Sequence, residues 1–64
     1  MKEYRIEAYF SEVYAPRSYK RMVFRDLEAA KKVFVLAKEY YSNYPYLEKV
    51  VIEEREVTEW QERL

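Results

Sequence analysis

Sixty-four residues without Cys, His or Gly form one domain, residues 1–64, near the lower size limit for folding unaided. They exclude a disulfide staple, thiol or imidazole chemistry and a glycine-rich phosphate loop. The formal charge is zero, yet Arg17 to Lys38 holds seven basic residues against two acids, while Glu48 to Glu62 holds six acids against two bases. That polarity bears on partners more than the zero total does.

Eight Tyr, three Phe and one Trp must supply much of the core, at about 150–250 Å² of buried area per ring. No run approaches the ~20 apolar residues a bilayer span needs, and Met1–Arg5 lacks the apolar stretch of a signal peptide. The expectation is a soluble, cytoplasmic protein with no membrane partner.

Lys2 to Phe10 alternates, with Tyr4, Ile6, Ala8 and Phe10 on one side and Glu3, Arg5, Glu7 and Tyr9 on the other, which predicts a half-buried strand. Glu12 to Ser18 reads as a loop, because Pro16 fixes its own φ and disfavours helix at Ala15. Tyr19 to Arg25 is predicted as the second strand, with Met22 and Phe24 inward, or Tyr19, Arg21 and Val23 in the opposite register. Tyrosines at 4, 9, 14 and 19 recur every five residues, an interval that fits neither strand nor helix.

Asp26 is a good N-cap, and Leu27 to about Ser42 should be helical, ended by Asn43 and Pro45. With no Gly present, Asn43 is the residue expected in the left-handed conformation. Leu27, Ala30, Phe34, Ala37 and Tyr41 form one apolar stripe; Ala29, Val33, Leu36 and Tyr40 form a second beside it. One stripe seats a helix on a core, so the second needs another cover unless the sheet wraps far round. Val35 falls farther round still, among charged residues.

Lys49 to about Trp60 is predicted as the third strand, with Val50 and Ile52 inward. Its alternation then fails, and a bulge near Glu53-Glu54 would return Val57 to the core side. Gln61 to Leu64 should fray. The fold class is α+β: a ββαβ chain with a three-stranded antiparallel sheet and one helix packed on one face.

Catalysis has little to stand on. Ser11, Ser18, Ser42 and Thr58 lack an activating partner, and neighbouring acids on a strand point to opposite faces, so no enzyme activity, cofactor or metal is expected. Association has more. Val33, Leu36, Tyr40 and Tyr44 would form an apolar contact, and Glu53, Glu54, Glu56 and Glu59 with Trp60 an acidic edge that complements a basic partner. The same acids would also serve simply to keep an edge strand soluble. Either surface would serve a homodimer and leave the other for a target. The alternative is single-stranded nucleic-acid binding by Arg17, Tyr19, Lys20, Arg21 and Arg25, opposed by a sequence pI of about 6.3.

The Tyr-rich hairpin, the run Phe24-Arg25-Asp26-Leu27-Glu28-Ala29-Ala30-Lys31 and the closing Val50 to Trp60 segment resemble small accessory proteins of bacteriophages and prophages. That resemblance implies a compact, cofactor-free inhibitor that binds and disables a host protein such as a defence nuclease, as anti-CRISPR proteins do. It transfers no catalytic residue.

Overall fold

The computed structural model describes residues 2–11, 15–56 and 59–64. Strand β1 (Glu3–Phe10) and strand β2 (Arg17–Ser18) precede helix α1 (Leu27–Tyr41), then strands β3 (Leu47–Arg55) and β4 (Gln61–Glu62) follow. All pairings are antiparallel, in the order β2-β1-β3-β4. The α+β class with one helix is as expected, but the sheet has four strands rather than three.

Period-two alternation places Tyr4, Ile6, Ala8 and Phe10 on the helix side of β1, opposite Glu54, Ile52, Val50 and Leu47 of β3. Ile6 and Ile52 pair directly and are the largest side chains removed completely from solvent. The first helix stripe settles on this layer: Ala30, Ala37 and Tyr41 are buried, with Leu27 and Phe34 packed beside them. Small Ala30 and Ala37 let the helix backbone approach the sheet, while the Tyr41 ring fills the space at its C-terminal end. Asp26 caps α1 by accepting from the Glu28 amide at 3.2 Å, which satisfies one donor of the first turn.

Several expectations need correction. The predicted strand Tyr19–Arg25 does not form. Arg17 and Ser18, assigned to a loop, are the strand, and Tyr19–Arg21 is a 3-10 turn. Lys20 and Arg21 both adopt positive φ, 53° and 54°, so the chain leaves the ladder there and returns only at Phe24, which pairs with Tyr4 through two 2.7 Å hydrogen bonds. Phe24 packs on the core as predicted, whereas Met22 and Val23 are exposed.

Asn43 is not left-handed; Tyr46 is, at φ 65°. The helix unwinds through Ser42 and Tyr44, whose amides bond to Glu39 and Tyr41, and Pro45 follows before the backbone changes hand. The carbonyl of Tyr46 then accepts from the Ser11 amide at 2.9 Å, which ties this turn to the end of β1.

The bulge expected near Glu53-Glu54 does not form; a register shift occurs instead at the other end of β3. Tyr9 pairs with Lys49 and Phe10 with Leu47, skipping Glu48. This shift keeps apolar Leu47, rather than Glu48, opposite Phe10. At Glu53-Glu54 the ladder is regular, and Val57 lies outside the described residues. The third strand ends at Arg55 rather than near Trp60, and the tail does not fray. Glu62 and Gln61 pair with Glu53 and Glu54, and Arg63 and Leu64 bond to Ile52. Strand β3 is therefore flanked on both sides along Ile52–Glu54 and is not an edge there.

Candidate functional site

Two regions concentrate polar and aromatic side chains, and the sheet separates them. On the face away from the helix, alternation brings Glu3, Arg5, Glu7 and Tyr9 opposite Arg55, Glu53, Val51 and Lys49. Opposite charges fall on partner residues at Glu3–Arg55 and Arg5–Glu53, and Lys49 reaches Glu62 of β4 diagonally. Arg5 bonds to Glu53 at 2.9 Å, Arg55 to Glu3 at 2.8 Å and Lys49 to Glu62 at 2.8 Å. The Tyr9 hydroxyl donates to Glu53, and this bond, which favours the neutral phenol, pushes the Tyr9 pKa up to about 12.

Trp60 lies over this lattice, its ring centroid 4.3 Å from the Arg5 guanidinium carbon and 4.5 Å from that of Arg55. Stacking of this kind attracts the cations to the ring face. On the same face Glu7 is buried between Ser18 of β2 and Val51 of β3, and one of its carboxylate oxygens has no hydrogen-bond partner. Burial raises its pKa, against the opposing pull of the Ser18 hydrogen bond and the Arg5 charge.

The acidic edge expected from the sequence is thus largely consumed within the fold. Glu53 is 6% exposed and bonded to Arg5 and Tyr9. Glu54 lies on the helix side and meets Lys2 at 3.3 Å and Arg63 at 3.2 Å. Glu56 and Glu59 are exposed, and Trp60 is half-buried.

The second region lies where the 3-10 turn meets the end of α1. An open cleft of about 610 Å³ is lined by Pro16, Arg17, Ser18, Tyr19, Lys20, Arg21, Tyr40 and Tyr41. A smaller one of about 190 Å³, lined by Phe10, Arg17, Tyr44, Pro45 and Tyr46, shares Arg17 with it. Rings form the floor. Tyr40 packs on Tyr41, Tyr44 and Tyr19 at centroid separations of 5.0, 5.6 and 5.8 Å, and Phe10 meets Tyr41 edge-on at 6.0 Å.

The Tyr44 hydroxyl donates to that of Tyr40 at 3.1 Å, which raises the Tyr44 pKa; burial raises that of Tyr41. Both rings stay neutral at physiological pH. The cations at the rim are placed differently from those on the sheet. No carboxylate among the described residues lies within ion-pair distance of Arg17, Lys20 or Arg21, and the Lys20 ammonium rests 5.4 Å from the Tyr19 ring centroid.

Left-handed backbone costs a residue with a Cβ about 1–2 kcal/mol. Two consecutive residues held there make this turn a local store of strain, of the kind that gathers at binding sites. Of the basic set singled out in the sequence, the structure brings Arg17, Lys20 and Arg21 together around buried Tyr19; Arg25 is exposed but does not line the cleft.

The second helix stripe divides. Val33 is half-buried and packs on the core, as does Tyr44 past the helix end, against Phe10, Tyr40 and Tyr41. Leu36 and Tyr40, one turn apart, are each 57% exposed. Tyr40 therefore belongs both to this strip and to the cleft. Val35, 58% exposed, lies on another side of the helix. The apolar helix set and the acid–Trp60 set do not meet, since Glu53 and Trp60 occupy the opposite face of the sheet.

No helix among the described residues is long and apolar enough to cross a membrane, and no group of three or more metal-ligating side chains occurs among them. In comparisons with known proteins, no family model, no curated protein and no solved structure matches this chain.

Proposed function

We propose that this chain is a non-enzymatic module that binds another protein stoichiometrically, as a phage-type inhibitor of a host protein does, and that the docking strip is Val33, Leu36, Tyr40 and Tyr44. The observation that carries this reading is the pair Leu36 and Tyr40, each more than half exposed on successive turns of a helix whose other stripe is already seated. Covering a leucine and a tyrosine of that exposure removes apolar surface from water, at about 25 cal/mol per Å², and tyrosine is an effective interface anchor. Two copies apposing this strip would form the homodimer.

The charge logic of the interface shifts with the site geometry. Because Glu53 and Glu54 are engaged internally, the cations Arg17, Lys20 and Arg21 that share the cleft with Tyr40 outnumber the exposed acid Glu39 beside it. The favoured partner surface is then acidic around an apolar centre, with binding that weakens as salt rises.

Leu36→Glu tests the reading. Stability should change by no more than about 0.5 kcal/mol, as at other exposed positions. Light scattering should show a self-associated species, or affinity capture a single protein, for the original chain and neither for the variant. A monomer at all accessible concentrations that retains no protein would overturn the proposal.

A further inference from the structure

We infer that the cleft between the 3-10 turn and the end of α1 is a binding site for single-stranded nucleic acid, with nucleobases on its tyrosines and phosphates on Arg17, Lys20 and Arg21. This goes beyond the protein-docking strip and rests on different residues, apart from Tyr40 and Tyr44.

Charge pairing is the first support. Lys2, Arg5, Lys31, Lys49, Arg55 and Arg63 each lie within 4 Å of a carboxylate, whereas Lys32 and Lys38 on the helix have no ion pair among the described residues and are scattered rather than gathered at a cleft. The three around the cleft have no such partner among the described residues and stand on its rim, exposed. An anion that the described residues do not provide fits there.

Ring exposure is the second. Tyr40, 57% exposed, and half-buried Tyr44 belong to a cluster held edge-to-face by Tyr41 and Tyr19, and Tyr46, 63% exposed, lines the smaller cleft. Rings fixed in this way present π-faces without losing side-chain freedom on binding, and such faces stack any unpaired base.

Continuity is the third. The larger and smaller clefts meet at Arg17, so ring-lined space, a guanidinium and further ring-lined space follow one another, as base, phosphate and base do along a strand. A duplex keeps its bases stacked inside and offers no face to these rings. An acidic peptide would satisfy the cations but leave the tyrosine faces uncovered. Single-stranded nucleic acid satisfies both.

Fluorescence anisotropy with a labelled oligothymidylate tests the inference on the intact chain. About three phosphate contacts predict that the association constant falls roughly 20-fold between 50 and 200 mM salt. Arg21→Glu should weaken binding at least about tenfold. Tyr40→Ala should weaken it about fivefold or more while Tyr40→Phe retains it, and Lys20→Gln provides a second, milder probe of the rim. Circular dichroism verifies that each variant is folded.

No binding at 50 mM salt, or binding that Arg21→Glu and Lys20→Gln leave unchanged, would overturn the assignment. So would equal affinity for a duplex of the same sequence, for polyglutamate, or for free thymidine monophosphate. Leu36→Glu separates the two readings: it should abolish protein docking and leave oligonucleotide affinity intact, whereas Arg21→Glu should lose the oligonucleotide.

Discussion

The outer face of the sheet and the cleft at the end of the helix are both built from guanidinium, ammonium and aromatic groups, but only the first is electrically closed. Register makes the difference. On the sheet, antiparallel pairing sets Glu3 opposite Arg55 and Arg5 opposite Glu53, so both guanidiniums inherit an acid from the next strand, and Lys49 finds Glu62 on β4. In the 3-10 turn, Lys20 and Arg21 have left the ladder and gain no acid among the described residues. A net charge of zero thus conceals one self-neutralised surface and one with cations to spare. Similar residues contribute to folding in the first region and are available to a ligand in the second.

Substitutions sharpen that contrast. The largest effect should come from Glu53→Ala, which strips Arg5 and Tyr9 of a shared, buried acceptor. A loss of about 2–3 kcal/mol in urea unfolding is expected, and an unchanged midpoint would break the view that this lattice stabilises the fold. In the cleft, Arg21→Gly should act in the opposite direction. Relief of left-handed strain outweighs the greater freedom of glycine in the unfolded chain and leaves a gain of about 0.5–1 kcal/mol, together with loss of oligonucleotide binding. A variant that is both less stable and fully binding would refute the idea that strain is held there for a ligand.

A pH experiment probes the one flaw in the lattice. Burial lifts the Glu7 carboxyl above its ordinary 4.5, so the folded protein keeps this proton to a higher pH than the unfolded chain does. Stability therefore falls as pH rises from about 4.5 through the folded value. Glu7→Gln should remove that fall, leaving the variant the more stable at pH 7 and the two proteins alike well below pH 4.5 in parallel thermal melts.

How much was legible in the sequence follows from which forces are local. Strand β1, the Asp26 cap, the seated helix stripe and the exposure of Leu36 and Tyr40 all follow from periodicity and capping, which depend on nearby residues alone. The turn at Tyr19–Arg21 does not, because neither Lys20 nor Arg21 is a residue that favours positive φ, and Tyr19 to Arg25 carries a plausible strand pattern. Strand β4 escapes for a different reason: Gln61 and Glu62 have no apolar alternation, and their pairing is supplied by the edge of β3. The cleft is a product of the first of these surprises and of topology. Tyr40, Tyr41 and Arg17 are distant in sequence and meet only because the turn folds back on the helix end. The acidic run was legible as composition, but its ion pairs required the register that sets Glu53 across from Arg5.

The position of Trp60 gives the molecule a native optical gauge. It is the sole indole in the chain, and its ring is held against two guanidiniums on the outer face, so its emission reports the integrity of that surface. The cleft is lined by phenols instead. Selective excitation of the indole should therefore follow melting of the lattice while remaining blind to an occupant among the tyrosines, and both events become observable in one unlabelled sample.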